Sequence, residues 1–190
     1  MKEFYFKNSD EWRDWLHVNH TQESGIYLIF YKVDHENESM RWEEAVRVAL
    51  CYGWIDSTVK SLGDGKRRKY FCRRKAKSVW SRVNKQHIEE LIADNLMHQT
   101  GLKSIEIAKK NGSWSELDDV ENGILPDDLK KAFSKNVKAL KNFENFTRSQ
   151  RKGYLYWLNQ AKREATRQNR IREIIEHSAQ NIKYRNGSSR

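Results

Sequence analysis

Six consecutive residues, Ile26-Tyr27-Leu28-Ile29-Phe30-Tyr31, are apolar or aromatic at every position, with Gly25 before them and a polar stretch over 34–39 after them. A run this short, with apolar side chains on both sides, belongs in the middle of a sheet and is buried on both faces. It therefore needs strand partners, and the neighbouring sequence supplies them. Ile55, Ser57, Val59 and Ser61 alternate with Asp56, Thr58 and Lys60, and Gly63-Asp64-Gly65 follows as a hairpin signal. Residues 69–73 read as the returning strand, and Phe4-Tyr5-Phe6 as a short edge strand.

The rest of the chain reads as helix. Ser9 is a good N-cap for a helix carrying Trp12, Trp15 and Leu16, and Ser39 for one carrying Trp42, Ala45, Val46, Ala49 and Leu50. Asn84 is expected to cap a third, with Ile88, Leu91, Ile92 and Leu96 as its inner stripe. A fourth starts at Thr100 or Gly101 and stops at Gly112. Residues 118–123 read as an acidic loop leading to Pro126, the only proline, at the start of a helix with Leu129, Phe133, Val137 and Leu140 inward. Thr147 and Gln150 fit a capping box before a helix with Tyr154, Leu155, Leu158 and Ala161, and Thr166 is a cap for a last one holding Ile171, Ile174 and Ile175. The expected fold class is α+β: a small antiparallel or mixed β-sheet packed with helices, plus a C-terminal helical region. The expected organisation is a body over 1–117, a helical region over 118–180 and a flexible tail over 181–190.

At 190 residues the chain is long enough to bury a core without staples, and its two cysteines, Cys51 and Cys72, form neither a disulfide framework nor a metal-ligand spacing. No signal-like segment or membrane span is legible, so the expected location is the cytoplasm. The formal net charge of +10 is unevenly spread: residues 60–85 hold eleven lysines and arginines against Asp64 alone. That asymmetry fits either a solvated basic face or a surface that meets anions such as nucleic acid or phosphorylated metabolites.

Four groups could carry chemistry. Asp56, next to Trp54, has two readings: a general acid or base with a raised pKa, or a carboxylate that caps a turn or pairs with Arg73 or Arg74. Arg73 and Arg74, followed by Ser78, Ser81 and Asn84, would suit a carboxylate or phosphate, with Trp54 and Trp80 as apolar walls. Arg163, Arg167 and Arg170 share a helical face, which fits gripping a nucleic-acid backbone or docking onto acidic residues of the N-terminal half. The histidines, including His17 and His20 three apart, offer no third ligand at matching spacing, so no metal and no cofactor is expected.

Gly53-Trp54-Ile55-Asp56-Ser57, then Arg73-Arg74, then Ser78-Val79-Trp80-Ser81-Arg82-Val83-Asn84 resemble the first part of bacterial YdeI/OmpD-associated (bacteriocin-protection) family proteins. Leu125-Pro126-Asp127-Asp128-Leu129, Ala161-Lys162-Arg163 and Thr166-Arg167-Gln168-Asn169-Arg170-Ile171 are similar to the family's closing signature. The resemblance runs from about Trp12 to Ile175, with Cys72 where the family commonly has proline. It implies a role in bacteriocin or envelope-stress protection and no established reaction. The leading expectation is a cytosolic protective protein binding an anionic ligand near the 53–57 and 73–75 segments. The alternatives are an enzyme using Asp56 and a nucleic-acid-binding protein using the basic surface. Small anions and nucleic acid are the expected partner classes, and the sequence leaves the oligomeric state open.

Overall fold

In the computed structural model, which describes residues 2–185, strand β2 (Gly25–Tyr31) occupies an interior position in a four-stranded sheet of order β1-β2-β4-β3. β1 (Glu3–Tyr5) runs parallel to β2 at one edge, whereas β4 (Lys66–Arg73) pairs antiparallel with both β2 and β3 (Trp54–Gly63). The sheet is therefore mixed, and the fold class is α+β. Gly63, Asp64 and Gly65 all take positive φ, the backbone that a tight hairpin between β3 and β4 demands.

β2 is not buried equally on its two faces. Ile26, Leu28 and Phe30 point into the core with Phe71 and Trp54, while Tyr27 and Tyr31, on the opposite face, keep partial exposure. Helices α1 (Ser9–Asn19) and α2 (Trp42–Cys51) supply the core on the first face, where Trp12 meets Phe71 and Trp54 edge-on. The buried aromatic core thus lies on one side of the sheet, and the partly exposed tyrosines of the other side give β2 its apolar look in sequence.

Several helix starts fall beside the residues expected. The α1 cap is Asn8, whose side chain accepts from Asp10 and Glu11, not Ser9. The N-cap of α2 is Arg41, whose backbone N–H donates to Glu44 at 2.6 Å, so Ser39 lies outside it. α3 (Arg82–Ala93) is capped by Ser81, and Asn84, the expected cap, is the donor to Ser81 Oγ at 3.3 Å. Ile88 and Leu91 are buried there, but Ile92 and Leu96 are exposed and the buried His87 completes the inner face. α4 (Gln99–Asn111) is capped by His98.

The chain divides into two compact units, Met1–Glu116 and Leu117–Arg190. The second has its own core of Leu129, Phe133, Phe143, Tyr154, Leu158 and Ile174. The expected loop at 118–123 forms a short helix, α5 (Asp118–Asn122). The stripe read as one helix from Leu129 to Leu140 is two, α6 (Asp127–Phe133) and α7 (Val137–Glu144), because Asn136 caps a new start by accepting from Ala139 at 3.0 Å. Val137, expected inward, is 76% exposed as a result. α8 (Arg148–Asn159) opens with the expected capping box, Gln150 N–H to Thr147 Oγ1 at 3.3 Å and Thr147 N–H to Gln150 Oε1 at 2.9 Å. α9 (Glu164–Ala179) has Arg163 at its N-cap and runs through Thr166, which is therefore no cap. Of the expected tail, 186–190 lie outside the described residues, whereas Tyr184 and Arg185 engage Gln150 and Trp157.

Candidate functional site

Strand alternation decides what β3 and β4 offer. Phe71, Lys69 and Arg67 share the face of Phe30, and across the hairpin they meet Asp56, Val59 and Ser61, with a bulge between Asp56 and Val59. Toward Trp54 this face is core; toward the hairpin it opens, because α2 begins only at Trp42. Lys69 Nζ lies 2.5 Å from Asp56 Oδ2 and 3.7 Å over the centroid of the Trp42 ring. The Trp42 indole N–H donates to the same Oδ2 at 3.0 Å. Asp56 thus fixes both the ammonium and the indole, with side-chain exposures of 14% for Lys69 and 15% for Asp56.

In front of this trio is a cavity of about 190 Å³ lined by Phe30, Trp42, Val59, Arg67 and Lys69. Three walls are apolar and two are cationic. Arg67 is exposed and has no ion-pair partner among the described residues. A small anion attached to an apolar body could pair with Arg67 and Lys69 while its body rests on Trp42 and Phe30.

The residues expected to bind an anion are used otherwise. Arg74 turns inward: its Nη1 donates to the carbonyl of Val79 at 2.9 Å and its guanidinium lies 3.7 Å over the ring of Trp80. Burial pushes its pKa down to about 10, partly opposed by the charge of Asp56. Trp80 is fully buried, as is Trp54, whose indole N–H donates to the His20 carbonyl at 3.1 Å. Neither tryptophan can wall an open cleft. Arg73 is exposed and reaches the Thr21 carbonyl at 3.5 Å. Ser78 turns its carbonyl toward Arg74 and donates its backbone N–H to the Lys75 carbonyl, and Ser81 spends its hydroxyl on the α3 cap. Asp56 pairs with Lys69 rather than with either arginine, so Asp56, Arg73 and Arg74 do not converge on one cavity. Trp42, Arg67 and Lys69 escaped the sequence reading. Their only signal is that Arg67, Lys69 and Phe71 alternate onto one strand face, and basic residues on both faces of β4 obscure it.

The arginine face of α9 is also absorbed. Arg167 makes a two-point pair with Asp128, Nε to Oδ2 at 2.5 Å and Nη2 to Oδ1 at 2.9 Å, and this pairing holds the Asp128 carboxyl below the usual range. Arg170 donates to the Trp157 carbonyl at 2.5 Å and stacks on that ring from 4.9 Å. These partners lie inside the same unit, and of the three arginines Arg163 is exposed.

His17 and His20 do acquire a neighbour, His98, with ring centroids 6.0 and 4.9 Å away. The rings meet edge-on, beside Tyr52. Among the described residues no group of three His, Cys, Asp or Glu could hold a metal ion, and no helix is long and apolar enough to cross a membrane.

Residues 4–104, more than half of the chain, match the family model described as Domain of unknown function (DUF8412). The chain belongs to that family. Residues 122–181 match the model described as Bacteriocin-protection, YdeI or OmpD-Associated. The second unit therefore carries the YdeI/OmpD-associated domain, and the expected resemblance from Trp12 onward narrows to it. The segments 53–57 and 78–84, with the cavity, lie inside the DUF8412 match. Searches of curated proteins and of solved structures returned no match.

Proposed function

We propose that this bacteriocin-protection-like protein works by binding, and that its N-terminal unit takes a small carboxylate- or phosphate-bearing ligand in the cavity between Trp42 and Arg67. The observation that carries the reading is the Trp42–Asp56–Lys69 trio. It holds an ammonium and an indole in fixed positions at the rim of an open, largely apolar cavity, with Arg67 unpaired beside it. Asp56 neutralises one of the two cations, so the site keeps about one positive charge for a monoanion. The space suits a single ring, since a cavity of about 150 Å³ accepts benzene. In this reading Asp56 positions its neighbours and is not the reacting group.

Titration calorimetry with phenyl phosphate and benzoate tests the proposal. Binding in the micromolar to millimolar range is expected, weakened at least about tenfold in an Arg67→Ala/Lys69→Ala double variant through loss of the charged hydrogen bonds. Arg73→Ala should leave it unchanged. Equal affinity in the double variant, or no binding of either probe, removes the assignment.

A further inference from the structure

The face of the sheet turned away from α1 and α2 has a composition that the cavity does not explain. Strand register puts Glu3 and Tyr5 of β1, Tyr27, Ile29 and Tyr31 of β2, Lys66, Arg68 and Tyr70 of β4 and Lys60 of β3 on it. Of the aliphatic side chains there, Ile29 is 6% exposed and Ile55, opposite Cys72, is half-buried; Tyr27, Tyr31 and Tyr70 stay partly open and Tyr5 is 43% exposed. The rings form a connected surface: Tyr27 and Tyr70 are a cross-strand pair with centroids 5.1 Å apart, and Tyr5 meets Tyr31 edge-on at 5.4 Å. The guanidinium of Arg68 lies 4.5 Å over Tyr27 and is held there by Glu3. Glu3 is the one carboxylate that register places on this face, against the three cations Lys60, Lys66 and Arg68.

One backbone detail shows how the platform is set. A Cβ at Gly25 would lie 2.1 Å from Tyr70 Oη and 2.5 Å from its Cζ. The ring of Tyr70 therefore reclines over the bare backbone of Gly25, across the strands, instead of standing up into solvent.

From this juxtaposition we infer that the tyrosine face of the sheet binds single-stranded nucleic acid. Bases would stack on Tyr70 and on the Arg68 guanidinium that covers Tyr27, and phosphates would meet Lys60 and Lys66, since Arg68 is paired with Glu3. Aromatic rings on an open sheet offer every base a π-surface whatever its sequence, and flanking cations track the backbone. A duplex hides its bases and gains only the charge. The inference is independent of the cavity, which opens on the other face.

Fluorescence anisotropy with a labelled oligothymidylate of about twelve residues, at about 50 and 200 mM salt, tests it. Saturable binding is expected, weaker at the higher salt and weaker for a duplex of equal length. Tyr70→Leu and Tyr27→Leu should each lower affinity roughly five- to a hundredfold, the range for one stacked base. Tyr70→Phe, which keeps the ring, should stay within about twofold. Circular dichroism melts of each variant show whether a loss reflects unfolding, and Tyr70→Phe against Tyr70→Leu separates stacking from packing. No saturable binding at low salt, equal affinity for the duplex, or full affinity in both leucine variants overturns the inference.

Discussion

The guanidinium of Arg74 lies over the indole of Trp80, its central carbon 3.7 Å from the ring centroid, and donates into the loop that carries that tryptophan. Two residues that look like ligand-binding groups in sequence are partners of each other. The pair fastens the connection between β4 and α3, since the Arg74 backbone N–H also bonds the Gly53 carbonyl at 2.9 Å.

Arg74→Ala should therefore act on stability and not on ligand affinity. Losing a desolvated cation–π contact and charged hydrogen bonds is expected to cost about 3 kcal/mol in urea unfolding. Exposed Arg73→Ala should stay within about 0.5 kcal/mol. A near-neutral Arg74→Ala would return Arg74 to the candidates for binding.

Gly101 is the second position where packing dictates the residue. A Cβ there would sit 2.2 Å from the Cys51 carbonyl oxygen and 2.7 Å from its carbon, both backbone atoms of the α2 end. Gly101→Ala should push α4 off α2 and lower stability by roughly 3 kcal/mol, although alanine is the better helix former. A rise in the melting temperature would show that the two helices can separate freely.

His98 caps α4 with a ring nitrogen: Nδ1 accepts the Thr100 N–H at 3.3 Å, a role open only to the neutral imidazole at that atom. Burial, then the nearby His20 and His17, hold its pKa below the ordinary 6.5. Because the folded pKa is the lower one, the unfolded chain takes up a proton first as pH falls. Stability should be full above about pH 7 and decline through and below pH 6.5. A fall of roughly 2–4 °C in melting temperature between pH 7.5 and 5.5 is expected from this group. His98→Asn, which keeps a capping side chain, should lessen the fall; an unchanged profile would rule His98 out as its source.

The Asp128–Arg167 pair predicts the acid limb of the second unit. The hydrogen bonds from Arg167 are the main cause of the depressed Asp128 pKa. The stabilisation is then complete above the unfolded value near pH 4 and lost as pH drops through the folded one. Asp128→Asn should cost about 1 kcal/mol at neutral pH, a partly exposed pair being worth little more. It should also flatten that limb. The fully exposed Asp127 is the control, and an equal effect there would deny Asp128 its special place.

Local signals in the sequence did determine much of the frame. The hairpin at Gly63-Asp64-Gly65, the capping box of Thr147 with Gln150 and the breaks at Gly112 and Pro126 depend on neighbours a few residues away, so the residues themselves suffice. Where two adjacent side chains could do one job, as with Asn8 against Ser9 or Ser81 against Asn84, sequence alone chose wrongly, because backbone dihedrals decide which oxygen faces the free N–H groups. The candidate sites needed the tertiary structure. Lys69 meets Trp42 and Asp56 only because β4 pairs with β3 in one register and α2 starts beside the bulge. The tyrosines of β2 read as core until the helices take the other face. Which arginines remain free and which are spent inside the fold, Arg67 against Arg74, depends on contacts between segments, and spacing along the chain does not carry that information.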